Sequence, residues 1–256
     1  MHDAVEKKKK GLRLVARKSI MSKWRKLNSD DSDVPPSTEP EINESPSHIL
    51  RLKLSEAVAA DPSLDGVPLP TFFRYAIDYI EEHGLTTEGI YRLSPPKNRL
   101  DELERKANNR EPLYFADVHD ATGLIKRFLR QTPEPVLPVE FERIAESCQC
   151  GLAFATQLKP GAICTCGKVQ EMKEALKLLE IERKTLFYYV FLHAQNVMTK
   201  EKENKMGLQA LGLLLQTVLE MSRKLVCFSV HAIRAFDGRP VEGGCYLLEE
   251  SFEIVK

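Results

Sequence analysis

The sequence predicts an all-α protein built around one helical domain, and three observations support this fold class. From about residue 49 onward, apolar residues recur with the spacing of helices. Strand signals, such as short alternating runs between turns, are scarce. No segment repeats with a period of 20–50 residues, which argues against a solenoid. A chain of 256 residues with 43% hydrophobic residues is long enough for a domain with a proper core.

The first 48 residues differ sharply in composition from the rest of the chain. Residues 1–27 hold ten Lys and Arg against two acidic residues, whereas residues 28–48 hold six acidic residues and no Lys or Arg. The acidic stretch is rich in Pro and Ser and is predicted to be a disordered linker, because it cannot bury enough apolar surface to offset its ordering entropy. The basic stretch is interpreted as a solvated tail, with peripheral contact to an anionic membrane as the alternative.

The predicted helices follow one another from residue 71. The first starts behind Pro70 and stops at Gly84, the second opens after Pro96 and covers 97–107, and the third covers 120–132. Further helices are predicted over 139–147, 168–180, 182–198, 205–221 and 225–236. The domain organisation predicted from these patterns is a helical domain over 49–240 followed by a tail over 241–256.

Charge and hydropathy exclude several functional classes. The formal net charge is zero, so no overall positive field indicates nucleic-acid binding. No run of 18 apolar residues indicates a membrane span, and the N-terminus lacks the apolar region of a signal peptide. The sequence therefore predicts a cytoplasmic protein with reduced cysteines.

Three basic residues stand out in two neighbouring segments. Arg92 lies in the predicted loop GLTTEGIYRLSPP, where Ile90, Tyr91 and Leu93 are expected to anchor the loop to the core. An arginine on a supported loop is suited to phosphate oxygens, because its planar guanidinium is permanently charged and offers five donors. Lys126 and Arg130, four residues apart, share one face of the third helix. Judged by spacing alone, such residues are more often solvated surface charges.

The segments GIYRLS, LIKRFLRQTPEPVLP and ENKMGLQALGLLL together resemble the Rho-type GTPase-activating domain over about residues 66–236. Residues 55–94 are similar to the Ral-binding members of that family. The resemblance implies a Rho-family small GTPase as partner and Arg92 as an arginine finger supplied in trans. It implies that Lys126 contacts the GTPase switch region and steadies the finger loop, and that Arg130 buttresses this loop from within. GTP and Mg²⁺ would belong to the partner, so no cofactor or metal is expected here.

Two departures from the family pattern qualify this expectation. Pro95 replaces the usual glycine after the finger motif, and Ala210 stands where the family has an asparagine that contacts the GTPase. Asn204, six residues earlier, is retained and is interpreted as a helix cap. These changes predict a weakened activator. The alternative is a GAP-like module that binds a small GTPase without accelerating hydrolysis.

Two features of the sequence match nothing in the family. Cys148, Cys150, Cys164 and Cys166 bracket a stretch that looks inserted, and four thiolates could hold Zn²⁺. The C-x-C spacing is tighter than usual, so reduced, unliganded thiols are the favoured interpretation. The tail after the last helix does not match the Ral-binding segment of the relatives, and Ral binding is not expected.

Overall fold

The computed structural model describes residues 48–159 and 166–236, and these are helical, with no β-strand among them. The predicted all-α fold is thereby confirmed. The basic segment 1–27, most of the linker, the tail over 241–256 and Cys164 lie outside the described residues. None of the described helices is both long and apolar enough to cross a membrane.

Each predicted helix corresponds to a helix of the structure, with differences at some of the ends. The described helices are α1 Leu54–Ala60, α2 Thr71–His83, α3 Lys97–Asn108, α4 Val118–Gln131, α5 Val139–Ser147, α6 Lys168–Lys177, α7 Ile181–Thr199, α8 Glu201–Asn204, α9 Leu208–Leu219 and α10 Arg223–Phe236, with 3₁₀ turns at Ile49–Arg51 and Gly151–Phe154. The proline and glycine signals set the ends of α2 and the start of α3 as expected. Helix α1 was not singled out by its periodicity.

One predicted helix, over 205–221, is wrong at its start. The short helix α8 ends at Asn204, and Lys205 takes a left-handed conformation with φ 62°. The side-chain oxygen of Asn204 then accepts a hydrogen bond from the backbone N–H of Met206 (2.7 Å). Because a left-handed residue interrupts the helical hydrogen bonds, α9 begins only at Leu208.

The core is formed by helices packed through their apolar faces. Helix α4 packs against α2, α3 and α9, while α10 packs against α5, α6, α7 and α9. Between α2 and α4 the Phe128 ring lies 5.2 Å from the ring of Phe72, edge to face, and 5.5 Å from the ring of Phe73. These contacts fix α4 beneath the loop that joins α2 to α3.

Candidate functional site

The loop between α2 and α3 carries Arg92 at the surface and its neighbours in the core. Ile90 and Tyr91 are buried, whereas Arg92 is exposed. Gly89 and Tyr91 both take left-handed conformations, with φ of 70° and 65°. Leu93 is 49% exposed, so its predicted role as an anchor is wrong. Two of the three expected anchors hold this segment, which we call the finger loop (residues 84–96).

Lys126 lies under the finger loop and is 6% exposed. Its Nζ donates hydrogen bonds to the carbonyl oxygens of Tyr91 (2.6 Å) and Leu93 (3.0 Å) and to the hydroxyl of Ser94 (2.8 Å). An ammonium has three N–H donors, and here all three are used on one loop. The carbonyls on both sides of Arg92 are therefore held by one buried cation.

The electrostatic environment of Lys126 disfavours its charge. Burial, and secondly the positive charge of Arg130, lower the pKa of Lys126 to about 8. The ammonium is retained near neutral pH, where its three hydrogen bonds to the loop compensate for lost hydration.

A second support of the finger loop comes from helix α7. The Tyr91 hydroxyl lies 2.7 Å from Nε2 of His193, and Nδ1 of the same ring lies 2.5 Å from a carboxylate oxygen of Glu81 on α2. The Glu81 carboxylate also accepts hydrogen bonds from the side-chain amide of Asn196. This chain of buried polar groups fixes Tyr91 in its left-handed conformation, next to Arg92.

Asn204 provides a third support through the backbone. Its carbonyl oxygen accepts a hydrogen bond from the N–H of Gly89 (2.9 Å). Its fully buried side chain donates to the carbonyls of Leu85 and Val197, both at 2.8 Å. The interpretation of Asn204 as a helix cap is wrong, because Asn204 is the last residue of α8 and Gly207 is the N-cap of α9. The Asn204 side chain instead ties the end of α7 to the start of the finger loop.

Pro95 closes the finger loop against helix α4. A Cβ placed on Gly123 would lie 2.7 Å from Cδ and 3.0 Å from Cγ of Pro95, so the proline ring rests where Gly123 has no side chain. The positive φ angles of the loop fall at Gly89 and Tyr91, and the φ of Pro96, the N-cap of α3, is −52°. The loop therefore accommodates two prolines without a glycine at position 95.

The two remaining predicted site residues lie at the surface on α4 and α9. Arg130 is exposed one turn after Lys126, and its role as a buttress of the finger loop stays a prediction. Ala210 is exposed on α9. The next residue, Leu211, lines a narrow space of about 20 Å³ together with Tyr91 and Lys126. Helix α9 therefore borders the base of the finger loop.

The RhoGAP domain family matches residues 70–224, which is more than half of the chain. The chain belongs to the RhoGAP domain family. The match includes the finger loop, α4 and α9, and thus every residue assigned above to the candidate site.

The proteins similar to this RhoGAP domain include two that are named as RalA-binding proteins. It is 31% identical to RalA-binding protein 1-A of Xenopus laevis over 194 residues, which are 74% of this chain and 28% of that protein. It is 32% identical to RalA-binding protein 1 of Drosophila melanogaster over 70% of this chain and 27% of that protein. The RhoGAP domain thus spans less than a third of the length of these relatives.

Solved structures share the fold. Human Rho GTPase activating protein 15 aligns with a TM-score of 0.56 and 22% identity, covering 87% of this chain and all of that one. The BH domain from GRAF, the GTPase regulator associated with focal adhesion kinase, aligns with a TM-score of 0.53 and 17% identity over 67% of this chain and 95% of that one. At these identities the likeness establishes the fold of the RhoGAP domain.

Sequence reasoning missed three residues that hold the finger loop. These residues, His193, Glu81 and Gly123, are not among those that the sequence singles out. The first two carry a weak signal, since a histidine and a glutamate on the apolar faces of predicted helices need partners when buried. Gly123 carries another, because a glycine inside a predicted helix usually marks a close approach.

Proposed function

We propose that this RhoGAP domain stimulates GTP hydrolysis by a Rho-family small GTPase and that Arg92 acts as the arginine finger. One observation carries the proposal. Arg92 is exposed, while the carbonyls of its two neighbours, Tyr91 and Leu93, are held by the buried ammonium of Lys126. A charged donor on a loop fixed in advance stabilises a transition state without reorganising at the moment of reaction.

The chemistry assigned to Arg92 is electrostatic. As the bond between the β- and γ-phosphates of GTP breaks, charge develops on the phosphoryl oxygens, and a guanidinium inserted beside them stabilises it. Arginine fingers contribute about 10³–10⁵ in rate, or roughly 4–7 kcal/mol of transition-state stabilisation. The GTPase supplies nucleotide, Mg²⁺ and the residue that orients the attacking water. Lys126 acts through the loop as a positioning residue, and the exposed side chain of Arg130 contacts the GTPase.

The exposed Ala210 favours a weaker version of the same function. By the family pattern an asparagine at this position contacts the GTPase, and alanine offers no hydrogen bond there. Losing one such bond costs about 0.5–1.5 kcal/mol. This is several times less than the contribution expected of Arg92, so the proposed activity is reduced but retained. A module that binds a GTPase without accelerating hydrolysis is the second candidate.

The test is single-turnover hydrolysis of GTP preloaded on a panel of Rho-family GTPases, with this protein in excess. We expect acceleration that falls by about 10³-fold or more in Arg92→Ala. The matched control is Arg143→Ala, which removes another exposed arginine from α5, a helix that packs against α6 and α10. It should retain the wild-type rate.

The two candidates differ in this assay. If the wild-type protein binds the GTPase without accelerating hydrolysis, the protein is a binding module and not an activator. If Arg92→Ala is as fast as wild type, Arg92 is not the arginine finger.

The membrane contact through residues 1–27 stays a prediction. Salt-sensitive binding to anionic vesicles that is lost when residues 1–27 are deleted would support it. The absence of Ral binding also stays a prediction, which a pull-down with Ral would contradict.

A further inference from the structure

Three cysteine sulfurs meet where α5 ends and α6 begins. The Sγ of Cys148 lies 3.0 Å from that of Cys150 and 3.4 Å from that of Cys166, and all three Sγ atoms lie within 4.8 Å of one another. None of the three is in a disulfide. Cys148 is buried, Cys150 is half-buried and Cys166 is exposed, so the cluster reaches from the core to the solvent.

We propose that these three thiolates bind Zn²⁺. Zinc binds thiolate sulfur at about 2.3 Å, and tetrahedral geometry then separates two sulfurs by about 3.8 Å. The separations of 3.0 and 3.4 Å from Cys148 are shorter than this value by less than 1 Å, and all three sulfurs lie within 4.8 Å of one another, so small side-chain rotations would place them around one ion. The fourth position would be taken by water or another donor. The sequence favoured unliganded thiols because of the C-x-C spacing, and the juxtaposition with Cys166 changes that interpretation.

Positive charge beside the cluster would help bound Zn²⁺ keep the three cysteines in their thiolate form. Cys166 is followed by Gly167, the N-cap of α6, and a helix N-terminus carries partial positive charge. Lys168 adds one positive charge, but its Nζ also lies 2.6 Å from a carboxylate oxygen of Glu171. A divalent ion provides the missing charge at the centre of the cluster.

The ion would act as a structural cross-link. Cys148 is the C-cap of α5, Cys150 precedes the 3₁₀ turn Gly151–Phe154, and Cys166 precedes α6. The turn packs against α10, where the Nζ of Lys224 lies 4.9 Å from the centre of the Phe154 ring. Zinc would thus join two helix ends and hold the turn between them.

The first experiment needs only the full-length wild-type chain, purified in reducing, oxygen-free buffer without chelator. We expect about one zinc per chain by mass spectrometry of the metal, and Co²⁺ exchanged into the site should give a thiolate-to-metal charge-transfer band in the near ultraviolet. Titration of reactive thiols with and without equimolar Zn²⁺ should show three fewer in the zinc-loaded protein. No bound zinc with unchanged thiol reactivity would overturn the proposal, as would a disulfide within the cluster under these conditions.

Variants then assign the ligands. The double variant Cys150→Ser, Cys166→Ser should bind zinc at least about tenfold less tightly, since two of three thiolates are lost. The matched control is Cys227→Ser, because the Cys227 thiol makes its hydrogen bond to the carbonyl of Ala155 instead of to the cluster. The control should retain wild-type zinc content. Equal zinc in the double variant and the wild type would place the ion elsewhere and overturn the assignment.

Discussion

The finger loop and the cysteine segment, taken as residues 148–159 of the connection between α5 and α6, are held in different ways. The finger loop is fixed from below by three contacts: Lys126 of α4 binds its carbonyls, Tyr91 binds His193 of α7, and the Pro95 ring rests on Gly123 of α4. In the cysteine segment, an added methyl at Gly151 would meet nothing within 4 Å, and Phe154 is 60% exposed. The loop that carries the proposed catalytic residue is thus held by buried groups of two helices, whereas the cysteine segment packs against α10 and leaves Gly151 and Phe154 exposed.

The largest loss of rate among the changes that test this comparison is expected at Lys126. Lys126→Met removes all three hydrogen bonds to the finger loop while keeping the length of the side chain. Because displacing a catalytic group by about 1 Å can cost 100-fold in rate, we expect the single-turnover rate to fall by about 100-fold. Lys177→Met, on the exposed face of α6, is the matched control and should keep the wild-type rate.

Equal rates for the two lysine variants would show that the finger loop does not need its buried cation. Thermal unfolding of both variants distinguishes a displaced loop from an unfolded domain, since only the former leaves the melting temperature near its wild-type value.

A smaller effect is expected from a single methyl group. Gly123→Ala would force the Pro95 ring away from α4 and shift the finger loop, for an expected loss of about tenfold in rate, equivalent to about 1.4 kcal/mol. The better helix propensity of alanine, about 1 kcal/mol, should offset part of the crowding, so stability changes little.

The matched control for this change is Gly151→Ala, where the added methyl has open space. Adding Pro95→Gly to Gly123→Ala should restore part of the rate, because it removes the atoms that clash. A double variant as slow as Gly123→Ala alone would contradict the packing argument.

In the cysteine segment, the expected effect is on stability and not on hydrolysis. If zinc joins the ends of α5 and α6, a strong chelator should lower the melting temperature by several degrees, since about 1 kcal/mol corresponds to roughly 2–4 °C in a domain of this size. The single-turnover rate measured well below that temperature should stay unchanged. A chelator that lowers the rate as much as Arg92→Ala would show that the two regions are coupled.

A further effect concerns the dependence of stability on pH. Below pH 8 Lys126 is protonated in both folded and unfolded chains, whereas between about 8 and 10.4 only the unfolded chain holds the proton. The contribution of Lys126 to the free energy of unfolding therefore rises with pH through this window. We expect the difference in unfolding free energy between wild type and Lys126→Met, measured by urea titration, to grow in favour of wild type from pH 7.5 to 10.

The variant Arg130→Gln provides a second test of this pH dependence. Removing the neighbouring positive charge raises the pKa of Lys126, so the rise should begin at a higher pH. A difference that stays flat across the range in the wild-type background would contradict the assignment of the lowered pKa to Lys126.

The sequence predicted the helices well and the finger loop in part. Proline and glycine act locally, so Pro70, Gly84 and Pro96 marked helix ends correctly. The resemblance singled out Arg92 and Lys126 together. The break at Lys205 was missed, because a lysine gives no local sign of a left-handed conformation.

The supports of the finger loop escaped prediction for a different reason. Tyr91 and His193 are 102 residues apart in the chain, and the contact between Pro95 and Gly123 depends on how α4 lies under the loop. Likewise, Cys166 joins Cys148 only because α5 and α6 pack side by side. Such contacts follow from the packing of helices, which periodicity within one helix does not specify.

The hydrogen bonds that the finger loop makes to the protein interior also determine which hydrogen-bonding groups it leaves available to a partner. The carbonyls of Tyr91 and Leu93 and the hydroxyl of Ser94 are directed at Lys126, and the carbonyl of Gly89 accepts the N–H of Leu93. These acceptors are used inside the protein, whereas the exposed side chain of Arg92 carries five donors. At this point the surface offers donors, so it is complementary to an acceptor-rich partner and mismatched to one that presents N–H groups.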